Sequence, residues 1–119
     1  MSSPQHHQGG CQCGKVRYEV TVDLENPVIA CNCSMCGRSG TLLTFVPSDQ
    51  FKLLSGEDNL TDYQFGSKHI HHLFCKTCGI KSFARGQGKS GPTVAINARC
   101  LDDVDPVKLP VRQYDGKSA

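Results

Sequence analysis

The sequence contains no tryptophan, and aromatic residues make up only 7% of its 119 residues. It has no apolar run close to the roughly 20 residues that a membrane-spanning helix requires. The formal net charge is only +2, and the lysine and arginine residues are scattered rather than gathered in one patch. These absences argue against a membrane protein and against a nucleic-acid-binding surface, which usually has a dense basic patch.

A secretory signal is also missing, because residues 1–8 are polar and contain no apolar h-region. We therefore predict a soluble, intracellular protein and assign it to the cytoplasm. The length fits one domain. We predict a flexible N-terminal tail over residues 1–8 and a single small domain over residues 9–119.

The residue that the chain has in excess is cysteine, with eight copies in three clusters and the single Cys100. In a reducing compartment, clustered thiols are better explained by metal binding than by a disulfide framework. The C-x-C pairs agree with this, since in an extended segment their Cα atoms lie about 6.5–7 Å apart, at or beyond disulfide geometry. A metal ion bridges such a pair easily.

The spacing suggests two metal sites. Four thiolates are a common structural zinc set, and two distant segments supply that number with Cys11, Cys13, Cys75 and Cys78. Three further thiolates remain within six residues, namely Cys31, Cys33 and Cys36. Three protein ligands with one open position are typical of catalytic zinc.

Alternatives exist for both clusters. Cys100 as a fourth ligand would close the second site and make it purely structural. Cys33 and Cys36 also form a C-x-x-C pair that could be redox-active. The first cluster could consist of structural thiols without metal. His69, His71 and His72 could ligate zinc, but on an exposed strand face we interpret them as solvated.

Periodicity predicts an all-β domain. Residues 15–23 alternate between apolar and polar side chains, with Val16, Tyr18, Val20 and Val22 on one face. No segment shows a long helical period. Further strands are predicted over residues 28–31, 41–46, 51–54, 60–65, 69–75, 82–85 and 93–99. A last strand over residues 107–114 is interrupted or placed at an edge by Pro110.

Taken together, these segments resemble the glutathione-dependent formaldehyde-activating enzyme family, which also includes centromere protein V. The resemblance rests on residues 10–14 (GCQCG), 16–18 (VRY), 31–36 (CNCSMC), 74–79 (FCKTCG) and 97–103 (NARCLDD). It implies the β-tent fold, in which antiparallel sheets are pinned by zinc. It also implies a structural zinc at Cys11, Cys13, Cys75 and Cys78 and a catalytic zinc at Cys31, Cys33 and Cys36.

The implied activity is formation of S-hydroxymethylglutathione from glutathione and formaldehyde, a carbon–sulfur lyase reaction. The expected partners are therefore a small thiol and a small aldehyde, with two zinc ions as cofactors. Arg38 is our best candidate to anchor a carboxylate of glutathione, and Lys68 and Arg99 are weaker ones. No general base is obvious. The competing hypotheses are a non-catalytic zinc module with two structural sites, and a redox or zinc sensor.

Overall fold

A computed structural model describes residues 4–65, 70–88 and 91–118. These residues form one short helix, α1, over Ser34–Ser39, and ten strands. The strands are β1 (Gln5–Gly10), β2 (Arg17–Val22), β3 (Val28–Cys31), β4 (Leu43–Pro47), β5 (Phe51–Ser55), β6 (Leu60–Tyr63), β7 (His71–Cys75), β8 (Phe83–Gly88), β9 (Gly91–Asn97) and β10 (Val111–Tyr114). The prediction of an all-β domain is confirmed.

The strands form two sheets. One has three strands in the order β1-β2-β5, and the other has seven in the order β10-β3-β4-β9-β8-β7-β6. The pairings are antiparallel except for β10, which runs parallel to β3. This exception departs from the expected antiparallel sheets. Strand β10 begins directly after Pro110, whose carbonyl accepts a hydrogen bond of 2.9 Å from the N–H of Val28, and it lies at the sheet edge, where proline is tolerated.

The core lies between the two sheets. The apolar face predicted for β2 is confirmed, because Tyr18, Val20 and Val22 are each no more than 5% exposed. The ring of Tyr18 lies 5.2 Å from that of Phe51 in the small sheet and 5.8 Å from that of Phe83 in the large sheet. Such aromatic contacts add to the free energy gained by apolar burial and hold the sheets face to face.

Strand β1 begins inside the segment that the sequence predicts as a flexible tail. It pairs with β2 from Gln5 opposite Val22 to Gly10 opposite Arg17. Residues 5–8, which the sequence analysis assigns to a tail, thus lie in a paired strand. Most side chains of β1 are exposed or half-buried, so the strand is held mainly by backbone hydrogen bonds to β2. Backbone pairing does not require alternating apolar residues, and the sequence of β1 therefore shows no strand pattern.

Within the described ranges, no helix is long and apolar enough to cross a membrane.

Candidate metal centres and the adjoining cavity

The first cysteine cluster joins the turn between β1 and β2 to the end of β7. The Sγ atoms of Cys11, Cys13, Cys75 and Cys78 all lie within 4.8 Å of one another. The Sγ atom of Cys13 is 3.6 Å from those of Cys11 and Cys75. Four sulfurs bound tetrahedrally at about 2.3 Å lie roughly 3.8 Å apart, so the donor set fits a zinc-sized ion.

Hydrogen-bond donors surround Cys75 in this cluster. The N–H groups of Cys78 and Thr77 lie 3.5 Å and 3.3 Å from its Sγ atom, and the side-chain amide of Asn59 lies 3.2 Å from it. The hydrogen bond from Cys78, followed by that from Thr77, lowers the pKa of Cys75 to about 6. Gly79 allows the turn to close because its φ of 78° lies in the left-handed region. The turn is therefore arranged to stabilise a thiolate.

The second cluster is formed where β3 leads into α1. The Sγ atoms of Cys31, Cys33 and Cys36 lie within 4.8 Å of one another. Cys33 is the N-cap residue of the helix, and its Sγ atom accepts a 3.3 Å hydrogen bond from the N–H of Cys36. The N–H of Cys33 in turn donates to the Sγ atom of Cys31 at 3.4 Å. The helical turn folds the three thiols towards a common point.

The environment of Cys33 favours its thiolate. Burial alone would raise the pKa of Cys33, but the backbone hydrogen bond from Cys36 and the neighbouring thiols bring that pKa below its ordinary value. Cys36 is buried. The loss of contact with water disfavours its thiolate and raises its pKa to about 11. A metal ion would hold both as thiolates, as it does when it coordinates a thiol.

Cys100 joins neither cluster among the described residues. Its Sγ atom lies 4.0 Å from the carbonyl oxygen of Lys81. Burial, and then the charges of Cys11 and Cys78, raise the pKa of Cys100 to about 11. It is therefore a half-buried thiol near the first cluster that is neutral at neutral pH. The alternative in which Cys100 closes the second site is not what the structure shows.

The C-terminal segment packs against the second cluster. The side chain of Asn32 donates to Asp115 at 2.9 Å and accepts a 2.9 Å hydrogen bond from the N–H of Lys117. Between these two contacts lies Gly116, where an added Cβ atom would meet the Sγ atom of Cys31 at 2.5 Å. Only glycine leaves room for that sulfur.

A cavity of about 310 Å³ borders the second cluster at Cys33 and Cys36. Its wall also contains Lys81 and His72, which no sequence motif connects. The Nζ atom of Lys81 lies 2.9 Å from the Nδ1 atom of His72. Two thiols of the second cluster, Cys33 and Cys36, and the hydrogen-bonded pair of Lys81 and His72 therefore border the same cavity.

His72 is only 7% exposed, so the interpretation of this histidine as solvated is wrong. Burial, and then the charge of Lys81, hold the pKa of His72 below its ordinary value of 6.5. Burial also lowers the pKa of Lys81, although the nearby Cys36 and Cys33 act in the opposite direction. His71, by contrast, is exposed and pairs with Asp62 at 2.7 Å. His69 lies outside the described residues.

Among the described residues that the sequence predicts to anchor a carboxylate of glutathione, only Arg38 borders the groove next to the cavity. Arg38 is exposed, with one guanidinium N–H donating to the carbonyl of Ser34 at 3.2 Å. It borders a groove that shares Met35 and Phe65 with the cavity. The Nε–H of Arg99 donates to the carbonyl of Gly40 at 3.1 Å, which is a structural contact. Lys68 lies outside the described residues.

Comparisons with known proteins identify a matching family and a similar solved structure. Residues 6–116 match the model of the family described as glutathione-dependent formaldehyde-activating enzyme. A crystal structure of a Rhodobacter sphaeroides protein, a structural genomics target, matches this chain with a TM-score of 0.79. The two proteins share 32% sequence identity, and the match covers 90% of this chain and 99% of the other.

Proposed function

Because the chain belongs to the glutathione-dependent formaldehyde-activating enzyme family, we propose that it is a zinc-dependent carbon–sulfur lyase acting on a thiol adduct of a small aldehyde. The thiol is glutathione. The observation that supports this proposal is the cluster of three thiols, Cys31, Cys33 and Cys36, at the edge of a cavity of about 310 Å³. A site with three protein ligands and space beside them is typical of catalytic zinc.

The two clusters have separate roles in this proposal. Cys11, Cys13, Cys75 and Cys78 hold a structural zinc, since four sulfurs complete a tetrahedron. Cys31, Cys33 and Cys36 hold the catalytic ion. A zinc ion there would lower the pKa of a bound thiol, so that glutathione is present as a thiolate at neutral pH.

Lys81 and His72 transfer the proton that the reaction requires. When a glutathione thiolate adds to the carbonyl carbon, the carbonyl oxygen gains negative charge and takes up a proton. The hydrogen bond of 2.9 Å between Lys81 and His72 lies in the wall of the same cavity. The pair donates that proton in the direction of synthesis and accepts it in the direction of cleavage.

Arg38 binds a carboxylate of glutathione. The side chain is exposed and reaches a groove that adjoins the cavity along Met35 and Phe65. A tripeptide whose sulfur lies at the second cluster can extend into this groove. The guanidinium then pairs with a terminal carboxylate in a charge-assisted hydrogen bond.

The proposal is tested by two-dimensional exchange NMR with ¹³C-formaldehyde and glutathione. This experiment measures exchange between free and adduct forms above the uncatalysed rate. We expect the wild type to accelerate the exchange and Cys33→Ala to abolish the acceleration, while circular dichroism shows an unchanged fold. Cys100→Ala is the matched control, because Cys100 lies outside both clusters. A wild-type rate equal to the background would overturn the proposal for this pair of substrates.

A further inference from the structure

The floor of the cavity lies within a row of paired residues that crosses five strands of the seven-stranded sheet. Directly paired residues of neighbouring strands point to the same face of a sheet. Ala95 of β9 is paired with Phe45 on one side and with Ala84 on the other. Ala84 is in turn paired with His72, and His72 with Tyr63. Two small side chains therefore lie between larger ones, which leaves a depression.

The next row deepens this depression. Gly86 of β8 is paired with Thr93 of β9, and Gly88 follows two residues later on the same face. All three border the cavity. Because glycine has no side chain, the sheet surface here is close to bare backbone.

The rim of the depression is apolar and exposed. Phe45 is 55% exposed, Phe65 42% and Ile70 40%, and all three border the cavity. The ring of Phe65 stacks on that of His72, with 5.3 Å between the ring centroids. Large exposed apolar side chains around a concave surface mark a ligand site rather than an ordinary surface.

Charge is scarce among the described residues that line the cavity. The side chain of Arg85 lies with Phe83 on the face of β8 that points away from the cavity. Its guanidinium carbon lies 5.4 Å from the centroid of the Phe83 ring and 5.1 Å from the centroid of the Phe51 ring. The ammonium group of Lys81 is bound to His72. The cavity is therefore poorly suited to the carboxylates of a tripeptide, which fit the adjoining groove at Arg38 instead.

The cavity is also too large for formaldehyde. A water molecule occupies about 30 Å³ of liquid, and formaldehyde has only two heavy atoms. Most of the 310 Å³ would stay empty beside it. Its apolar walls favour a carbon skeleton that buries apolar surface.

We infer that the cavity binds the apolar side chain of an aldehyde larger than formaldehyde, so that the preferred adduct is that of glutathione with an aromatic or medium-chain aldehyde. This inference rests on the proposed function. The thiolate sulfur forms a bond to the carbonyl carbon, the π electrons pass to the oxygen, and the oxygen takes one proton. Cleavage reverses these steps, and no oxidant or reductant takes part.

Stable thioethers test the inference without turnover. S-Benzylglutathione and S-methylglutathione share the tripeptide and differ only in the group that would enter the cavity. Isothermal titration calorimetry with the zinc-loaded protein should show at least roughly tenfold tighter binding of the benzyl compound, since each buried CH₂ group contributes about a fourfold change. Equal affinities would overturn the inference and leave the proposed function intact.

Two variants locate the effect. Ala95→Phe fills the floor of the cavity, and Phe45→Ser removes an exposed apolar wall with little risk to the fold. Both should reduce the ratio of benzyl to methyl affinity towards one. Val107→Phe adds similar bulk at a position that is 87% exposed, and it should keep the wild-type ratio. A ratio that both cavity variants leave unchanged would contradict the inference.

A glutathione-independent measurement separates the two possible failures. If neither thioether binds, the proposed use of glutathione is wrong. Benzyl alcohol is then titrated alone into protein with ¹³C-labelled alanine methyl groups. Shifts of the Ala84 and Ala95 methyl signals support the cavity assignment, and unchanged signals overturn it.

Discussion

The Nζ atom of Lys81 lies 2.9 Å from the Nδ1 atom of His72. An ammonium group has only donors, so the histidine nitrogen accepts this bond and the ring carries its proton on Nε2. His72 is buried and Lys81 is half-buried, and burial lowers the pKa of each. A cation and a neutral imidazole thus share one proton-transfer contact at the edge of the cavity.

The first prediction concerns this pair. Lys81→Met removes the ammonium group but keeps most of the aliphatic chain, so we expect kcat to fall by roughly 10²-fold, the lower range for general acid–base catalysis. Binding of S-methylglutathione should change far less. Lys52→Met, at an exposed position of β5, is the matched control. A kcat equal to that of wild type would show that Lys81 does not move the proton.

The second prediction concerns the pH dependence of stability. The pKa of His72 is lower in the folded protein than its ordinary value of 6.5, through burial and the charge of Lys81, with Asp62 acting in the opposite direction. As pH falls below 6.5, the unfolded chain binds a proton that the folded chain does not. The free energy of unfolding therefore decreases in this range.

This decrease is measured by urea denaturation of the metal-loaded protein between pH 7.5 and pH 5.5, roughly one unit to either side of the ordinary histidine value. His72→Gln should show a smaller decrease than wild type. Protonation of the cysteine ligands affects both proteins alike and cancels in the comparison. Identical slopes would mean that His72 is not held neutral by the fold.

The third prediction concerns Gly116. An added Cβ atom would lie 2.5 Å from the Sγ atom of Cys31, so Gly116→Ala must move either the sulfur or the C-terminal segment. We expect zinc to bind the second cluster about tenfold more weakly, as found for substitutions that disturb metal ligands indirectly. Competition with a chromophoric chelator measures the affinity. Gln113→Ala, at an exposed position of β10, is the control and should keep the wild-type value.

The fourth prediction concerns the structural cluster. Cys13→Ser removes one of four ligands that connect the β1–β2 turn to the end of β7. We expect a large loss of thermal stability, because metal-binding free energy contributes directly to folding. Calorimetry of this variant is compared with that of Cys100→Ser, which leaves all four ligands in place. Equal melting temperatures would show that this cluster does not stabilise the fold.

The sequence predicts local features of this protein better than long-range ones. The alternation around Tyr18 and Val20 predicts the buried face of β2 because it depends on neighbouring residues alone. The parallel pairing of β10 with β3 depends on contacts between distant segments, such as that of Val28 with Pro110, and no local pattern encodes it.

The same distinction applies to the candidate site. The spacing of Cys31, Cys33 and Cys36 is enough to group them, but the six-residue helix α1 is too short to show a period. His72 and Lys81 are nine residues apart and meet only because β7 turns back along β8. His72 precedes the segment that contains Cys75 and Cys78, and Lys81 follows it. Neither residue belongs to a motif of its own, so the sequence carries no signal for the pair.

The central claim is that the chain holds two independent metal centres, one structural and one facing the cavity. Elemental analysis of zinc per chain tests it most directly, on wild type and on the triple variant Cys31→Ser, Cys33→Ser, Cys36→Ser, both purified without added metal or chelator. The account predicts two zinc ions per wild-type chain and one per variant chain, which retains the cluster at Cys11, Cys13, Cys75 and Cys78. A single zinc ion in both proteins would contradict the account, because the three-cysteine cluster would then bind no metal.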